Sequence, residues 1–316
     1  MITSIGGGKP LTAFHLKIIA LVCMIIDHVG FSILDNIDPL RWIGRIAFPL
    51  YAFLIAEGCR YTKNRTRYLV RLCVFALISE IPFDIAFSAS ILPSNIPLAL
   101  FDYLNFTNVF YTLFFAVSCI QIYETLKRQK RLTQVFVLFS CALSLLGIEA
   151  TVIFITANNK TIVLLLLALM LYLLLMCERL PKSEAEPLPS DRLSKVLALL
   201  PSFPILLLAE CIGCDYGVSG VLLILLLYLA KGRKMTVGIL TAGLLFIYGS
   251  KLLNDLSMGH SLMYFEDTMM LCFALVSTVL VYLYNGERGR NIKWTFYWAY
   301  PIHITALAIL RCALLA

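Results

Sequence analysis

Three ionisable residues lie within the first long apolar stretch of the chain, between Leu16 and Gly30. Lys17 and His28 are eleven positions apart. In an α-helix that spacing is about three turns, so both side chains would project from one face, roughly 16 Å apart along the axis. Asp27 would point about 100° away from His28 and could orient a second group. Ionisable groups inside a membrane are costly and usually mark a pathway or a reaction site.

A structural role for the same residues is the alternative. The ammonium group of Lys17 could extend to the membrane surface while its aliphatic stem stays in the apolar region. His28 could form a single hydrogen bond to a neighbouring helix. Charged residues of later helices could equally pair with one another and hold the helices together, since charges in membranes usually pair.

The composition predicts a membrane protein with many spans. The 316 residues are 60% hydrophobic and 14% charged, and the mean hydropathy is +0.86. Ordinary soluble domains are about 25% charged. Apolar runs long enough to cross a bilayer recur along the chain, so we predict an all-α bundle of about eleven transmembrane helices, with ten as the alternative. The predicted spans are residues 14–34, 42–59, 68–87, 108–126, 132–156, 161–178, 194–212, 217–230, 235–253, 268–284 and 294–314.

Basic residues concentrate in every second loop. Nineteen of the 26 Lys and Arg residues lie in the N-terminal segment and these alternate loops, whereas the intervening loops hold Arg41 and Lys160. Positive residues favour cytoplasmic loops, so we predict a cytoplasmic N-terminus. We also predict a single domain over 1–316, with a cytoplasmic linker loop at 179–195. The net charge of +7 follows from this topology and does not indicate a nucleic-acid partner.

Depth along the predicted spans sorts the charged residues into two layers. The inner layer contains Lys17, Glu57, Arg60 and Arg71, and the outer layer contains Asp27, His28, Arg45, Glu80 and Asp84. A cationic inner layer and a histidine-centred outer layer fit a long anionic donor such as coenzyme A, whose phosphates would lie inside and whose thioester would reach His28. Imidazole titrates near neutral pH, so His28 would be the general base or would carry the acyl group itself.

These arguments define two sets of candidate site residues. The predicted catalytic residues are His28, Asp27, Glu80 and Asp84, and the predicted donor-binding residues are Lys17, Arg45, Arg67, Arg71 and His303. A carboxylate would orient the imidazole of His28 and stabilise its protonated form. His303 follows Tyr300-Pro301 in the last span, where it could reach the site or bond to a carbonyl that the proline frees. No metal site is expected, because Cys211 and Cys214 form an isolated C-x-x-C.

A series of short motifs runs in order along nearly the whole chain. They are Leu16-Lys17 through Asp27-His28, Arg41-Trp-Ile-Gly-Arg45-Ile-Ala-Phe-Pro49, Phe53-Leu-Ile-Ala-Glu57-Gly58, Ser79-Glu-Ile-Pro-Phe-Asp84, Asn108-Val-Phe-Tyr-Thr112, Asp215-Tyr-Gly217, Tyr284-Asn-Gly286 and Tyr300-Pro-Ile-His303. Together they resemble the TraX family, whose namesake is the conjugation-associated membrane acetylase of pilin. That family is distantly similar to acyltransferase-three and heparan glucosaminide acetyltransferase-like enzymes. Those enzymes carry an Arg, ten residues and then a His in an early span, and Lys17 stands at the Arg position here.

The resemblance implies a membrane-embedded acetyltransferase domain in a bacterial inner or plasma membrane. Acetyl-CoA would be the donor, and the acceptor would be a protein amine, a glycan or another cell-surface molecule presented outside. Membrane lipids would surround the protein. The alternatives are an ion-coupled transporter or flippase, in which buried charges line a pathway, and a non-catalytic assembly factor. The lack of an evident inverted repeat and the two charge layers on one helix face favour the enzyme.

Overall fold

The computed structural model describes residues 10–34, 37–87, 107–127, 192–258 and 261–315. All regular elements in these ranges are helices, accompanied by two isolated β-bridges. The helices are α1 Ala13–Ser32, α2 Asp38–Gly44, α3 Ala47–Tyr61, α4 Arg65–Phe87, α5 Val109–Leu126, α6 Arg192–Leu199, α7 Phe203–Cys211, α8 Gly217–Leu229, α9 Arg233–Met258, α10 Ser261–Tyr282 and α11 Lys293–Leu315, and a 3₁₀ turn, Leu200–Ser202, joins α6 to α7.

Six segments in the described ranges are long and apolar enough to cross a membrane. They are Ala13–Ser32, Asp38–Tyr61, Val109–Leu126, Ser194–Cys211, Arg233–Leu253 and Phe265–Tyr282, and α8 is a shorter apolar helix. The prediction of an all-helical membrane fold is confirmed in these ranges. The predicted spans at 132–156 and 161–178 lie outside the described residues. The count of about eleven spans and the cytoplasmic N-terminus therefore stay predictions.

The chain divides into two compact units. The first unit holds the described residues of Met1–Arg60, Leu77–Phe101 and Leu226–Ala316, and the second holds those of Tyr61–Ala76 and Asp102–Leu225. α4 and α8 each contribute residues to both units. The single domain over 1–316 stays a prediction. Of the predicted linker at 179–195, residues 179–191 lie outside the described ranges, and the remainder forms the first turn of α6.

One end of the first unit is built around the residues that precede α1. Leu11 forms a parallel β-bridge with Tyr284, and the backbone N–H of Ala13 donates to the carbonyl of Glu287 at 2.8 Å. The second bond satisfies an amide at the helix N-terminus that has no partner within the helix. A guanidinium nitrogen of Arg233 donates to the carbonyl of Tyr284 at 3.0 Å. The N-terminal segment and the loops before α9 and α11 therefore lie together.

Arg60 joins the end of α3 to the end of α8. Its guanidinium group pairs with a carboxylate oxygen of Glu57 at 2.6 Å. It also donates to the carbonyl oxygens of Leu227, Tyr228 and Ala230, at 2.5, 3.1 and 2.9 Å. Carbonyls at a helix C-terminus lack partners within the helix, so Arg60 caps α8. The guanidinium group of Arg60 therefore binds other groups of the fold. The sequence pattern had placed Arg60 in the inner layer, where the donor phosphates would lie.

The opposite end of the first unit brings together the C-terminal ends of three helices. The hydroxyl of Ser32 at the end of α1 donates to the carbonyl of Ala86 in α4 at 2.8 Å. A guanidinium nitrogen of Arg311 in α11 donates to the carbonyl of Ile85 at 2.8 Å. α1, α4 and α11 lie in the first, third and eleventh predicted spans, which cross a membrane in the same direction, and these contacts agree with that relative direction. Which end faces the cytoplasm stays a prediction.

Two glycines allow α1 and α2 to approach closely. A Cβ atom built at Gly44 would lie 2.3 Å from the Cβ of Asp27, and one built at Gly30 would lie 2.6 Å from the Cβ of Leu40. Real Cβ atoms essentially never come within 3.0 Å of another atom in such a contact. Only glycine at these positions therefore allows the two helices to lie this close, and the contact at Gly44 sets Asp27 against α2.

Asn108 has a structural role in the second unit. Its side-chain oxygen accepts from the backbone N–H of Phe110 at 3.0 Å, and its side-chain nitrogen donates to the carbonyl of Ala76 at 2.9 Å. The first bond caps the N-terminus of α5 and the second ties that terminus to α4. The preceding residue, Thr107, donates its backbone N–H to the carbonyl of Gly213 at 3.1 Å. The motif that begins at Asn108 therefore fixes a helix start.

Replacing Gly44 with alanine should destabilise the first unit. The added methyl group would overlap the side chain of Asp27, and overpacking of this kind costs about 1–3 kcal/mol. The matched control is Gly238→Ala in α9, where nothing lies within 4 Å of the added Cβ. Thermal unfolding of the purified proteins in detergent measures the difference. Equal stability of the two variants would contradict the close approach of α1 and α2.

Candidate active site

His28 lies one turn before the end of α1, where α1 meets α4 and α11. Its half-buried ring stands edge-on to Phe87 of α4, with ring centroids 4.9 Å apart. Tyr300 of α11 stands edge-on to His28 at 6.1 Å. Aromatic side chains from two further helices therefore border the imidazole and limit its contact with water. Their apolar surface strengthens electrostatic interactions at the ring, because the local dielectric constant is low.

His28 and His303 form a direct hydrogen bond. Nδ1 of His28 lies 2.8 Å from Nε2 of His303, and the two ring planes are within 14° of each other. Nδ1 of His303 lies 2.8 Å from the carbonyl oxygen of Ala299, one turn earlier in α11. His303 therefore contacts His28 and also bonds to a carbonyl of its own helix, and its role at the site stays a prediction. The Nδ1 atom of His28 is bonded to a histidine, where a carboxylate was expected.

Asp27 binds two arginines of the following segment. Its carboxylate lies 2.8 Å from Nη1 of Arg41 and 3.0 Å from Nη2 of Arg45. The three side chains are between 13% and 20% exposed, so water screens their charges only in part. Nε of Arg45 also donates to the carbonyl of Arg41 at 3.2 Å. One carboxylate thus faces two guanidinium groups in this cluster of Asp27, Arg41 and Arg45.

Arg41 is not among the site residues that the sequence pattern singled out, because the pattern placed it in a loop before the span at 42–59. The structure places it inside α2, with its guanidinium carbon 4.6 Å from the ring centroid of Phe31. The signal that could have found it is its spacing from Arg45, since residues four apart share a helix face. Both arginines bind Asp27, the residue directly before His28.

Lys17 lies near the start of α1, at the other end of the helix from His28. Its ammonium nitrogen is 5.4 Å from the ring centroid of Phe296 in α11. His28 contacts His303 of the same helix, so both residues project from α1 towards α11, as their spacing predicts. At 1.5 Å per residue they are about 16 Å apart along the axis. The face of α1 that carries both residues therefore connects the two ends of the first unit.

The remaining predicted residues all lie on α4. Glu80 is fully buried and Asp84 is half-buried, both in the part of α4 that belongs to the first unit. Arg67 is exposed and Arg71 is half-buried, both in the part that belongs to the second unit. Lys17 and Arg71, predicted to bind one donor, thus belong to different units, and their joint role stays a prediction. The described residues contain no group of three or more His, Cys, Asp or Glu side chains that could hold a metal ion.

The fold and this site define an all-helical membrane protein with a histidine pair beside a carboxylate–arginine cluster. The chain belongs to the TraX family, because the family model described as "TraX protein" matches residues 13–146 and 141–311. The resemblance of the motifs to the TraX family is therefore confirmed.

Two curated relatives align with parts of the chain. The "Probable fimbrial assembly protein FimC, serogroup H1" of Dichelobacter nodosus is 33% identical over 138 residues, which is 42% of this chain and 55% of that protein. An uncharacterized protein of Rickettsia prowazekii (strain Madrid E) is 32% identical over 79 residues, which is 25% of this chain and 32% of that protein. The chain thus spans about half the length of the first relative and a third of the second. No solved structure matches the chain significantly.

Asp27→Asn should destabilise the protein, because two partly buried guanidinium groups would lose their counter-charge. A charged group left unsatisfied in this way costs about 1–3 kcal/mol or more. The matched control is Glu124→Gln, which removes a pair with Lys127 at 3.6 Å whose lysine is 51% exposed. Exposed pairs contribute only about 0–1 kcal/mol. Chemical denaturation followed by tryptophan fluorescence compares the variants, and an equal loss from both would contradict the importance of the Asp27 cluster.

Proposed function

We propose that this protein is a membrane-embedded acetyltransferase. It moves an acetyl group from cytoplasmic acetyl-CoA to an amine or hydroxyl group of an acceptor presented outside the bacterial inner membrane. The observation that carries the proposal is the position of His28, whose ring lies among aromatic side chains and which directly follows Asp27, the partner of Arg41 and Arg45. A base and a nearby positive charge are the two features that acyl transfer needs.

The chemistry assigned to His28 is proton transfer during attack on the thioester. The imidazole takes the proton of the acceptor as its nitrogen or oxygen bonds to the acetyl carbon. The tetrahedral intermediate places negative charge on the former carbonyl oxygen, which the guanidinium groups of Arg41 and Arg45 would stabilise. The carbon–sulfur bond then breaks, and the coenzyme A thiolate leaves and takes a proton. The alternative within the same site is transient transfer of the acetyl group to His28.

The donor would approach from the end of the first unit that holds Lys17. Exposed basic residues near that end lie in the loops before α9 and α11 and in the first turn of α9, and they are Lys231, Arg233, Lys234, Arg288 and Arg290. Clustered positive charge attracts a polyanion and raises its rate of encounter. Lys17 would bind a phosphate, and the flexible arm of the donor would follow α1 towards His28. Only the acetyl group would then cross, which avoids moving a highly charged cofactor through hydrocarbon.

A pilin-type protein amine is the acceptor that we propose first. The resemblance of the motifs to the TraX family implies acetylation of a pilin, and one aligned relative is described as a probable fimbrial assembly protein. A pilin amine would be presented on the outer side, where the Asp27 and His28 end of the first unit would lie in the predicted topology. Glycans and other cell-surface molecules are the further acceptor classes to include in an assay.

His28→Ala should abolish transfer and leave binding of acetyl-CoA nearly unchanged. Loss of a general base lowers the rate by about 10²–10⁴-fold, and the donor phosphates would bind at the other end of α1. The measurement is release of coenzyme A and acetylation of a peptide amine by purified protein, with donor binding followed by calorimetry. If the wild-type protein binds acetyl-CoA but transfers no acetyl group, the result would favour the alternative of a non-catalytic assembly factor.

The control for this variant is His15→Gln. His15 is exposed at the start of the same helix and closes a capping box with Thr12. Glutamine is a favoured residue at this position of a capping box, so the helix start should persist. We expect near-normal transfer from the control. Near-normal transfer by folded His28→Ala protein would remove His28 from the mechanism.

Lys17→Glu should weaken donor binding and leave acceptor binding unchanged. Reversing one charge beside a phosphate removes an attraction and adds a repulsion, and each 1.4 kcal/mol raises Kd about tenfold. We therefore expect Kd for acetyl-CoA to rise at least about tenfold at low salt, with a smaller effect at high salt. The control is Lys195→Glu, an exposed lysine of α6. Equal effects of the two changes would show that Lys17 has no specific contact with the donor.

A further inference from the structure

The hydrogen bonds around His303 leave a single arrangement of protons for two neutral rings. A carbonyl oxygen only accepts hydrogen bonds, so Nδ1 of His303, 2.8 Å from the carbonyl of Ala299, must carry a proton. A neutral imidazole has one protonated nitrogen, so Nε2 of His303 is an acceptor. Nδ1 of His28, 2.8 Å from that atom, must then be the donor. The unprotonated nitrogen of His28 is therefore Nε2.

The geometry supports a directed bond between the two rings. The ring planes are 14° apart, the centroids are 5.1 Å apart and the facing nitrogens are 2.8 Å apart. Imidazole lone pairs and N–H bonds lie in the ring plane, so nearly parallel planes at this nitrogen distance suit an in-plane hydrogen bond. Ala299 and His303 are four residues apart in α11, so the helix itself fixes the carbonyl beneath the ring.

We propose that His303 is a positioning residue that sets the tautomer of His28 and then receives a proton from it. This inference rests on the proposed acetyl transfer for its use, but the tautomer follows from the hydrogen bonds alone. By fixing the proton on Nδ1, His303 makes Nε2 of His28 the atom that faces the reaction. In serine proteases the group behind the histidine has the same task, although there it is a carboxylate.

His28 and His303 together account for every proton that moves during the reaction. Nε2 of His28 gains the proton of the attacking acceptor, and Nδ1 of His28 passes its own proton to Nε2 of His303. His28 is then neutral with its proton on Nε2, and His303 is a cation that donates to Ala299 and to His28. When the coenzyme A thiolate leaves, Nε2 of His28 protonates it, and His303 returns its proton to Nδ1 of His28. No redox partner or further reactant is required.

The hydrogen-bond partners of the two rings give this transfer a direction. A cationic imidazole donates from both nitrogens, and Nδ1 of His303 already faces the carbonyl of Ala299 at 2.8 Å. A hydrogen bond made to the charged form of a group favours that form, so this carbonyl stabilises the positive charge on His303.

Two replacements of His303 separate its functions. His303→Gln keeps an oxygen that can accept from Nδ1 of His28 but cannot take up a proton. His303→Leu removes both functions at a similar volume. We expect His303→Leu to lower kcat by about 10²–10⁴-fold and His303→Gln to lower it less, with KM for acetyl-CoA unchanged in both. Thr305→Val is the control, because Thr305 makes a comparable bond to the carbonyl of Pro301, at 2.7 Å, without touching His28.

The decisive readout is the ¹⁵N NMR spectrum of histidine-labelled protein without any substrate. Wild-type His28 should show a protonated Nδ1 and an unprotonated Nε2, His303→Gln and Thr305→Val should retain this pattern, and His303→Leu should show mixed tautomers. A wild-type His28 protonated at Nε2, or a folded His303→Leu protein with unchanged tautomer and kcat, would overturn the inference. The wild-type spectrum supplies the test even if His303→Leu does not fold. If wild-type His28 shows the expected tautomer but the wild-type protein transfers no acetyl group, the tautomer inference is supported and the proposed function is refuted.

Discussion

The pairing of Asp27 with Arg41 and Arg45 is the interaction on which the site depends. Charged side chains at membrane depth are costly unless they are paired, and here one carboxylate serves two guanidinium groups. The pairing is possible because Gly44 has no side chain where α1 and α2 meet. It also fixes the rotation of α1 about its axis. His28 is the next residue, and its ring contacts α4 and α11.

The same rotation gives α1 a different environment at each end. At its start, Lys17 contacts α11 among loops that carry exposed basic residues, and the backbone of Tyr284 and Glu287 holds the helix terminus. At its end, His28 lies among aromatic rings and bonds to His303. A single helix face therefore links an end suited to a polyanion with an end suited to proton transfer. This division is the physical basis for proposing that only the acetyl group crosses the membrane.

The sequence predicts those features that depend on local spacing. Apolar periodicity indicates the helices, and the eleven-residue spacing of Lys17 and His28 places both on the face of α1 that meets α11. Local spacing does not predict which residues bind one another through tertiary packing. His28 and His303, for example, are 275 positions apart in the chain. Arg41 was not predicted as a site residue, because the predicted span starts at residue 42, where the apolar run begins. The helix in the structure begins earlier, at Asp38, and includes Arg41. The motifs and their order along the chain were sufficient to identify the family. The roles of Glu80, Asp84, Arg67 and Arg71 stay predictions.

Sidedness of the reaction is the most direct test of transfer through the membrane. The protein would be reconstituted into vesicles of one known orientation, with a peptide bearing a free amine on the side of His28 and labelled acetyl-CoA on one side only. We expect acetylated peptide only when acetyl-CoA is supplied on the opposite side, where α1 begins. Acetylation that proceeds only when donor and peptide share the same side would contradict the proposed mechanism.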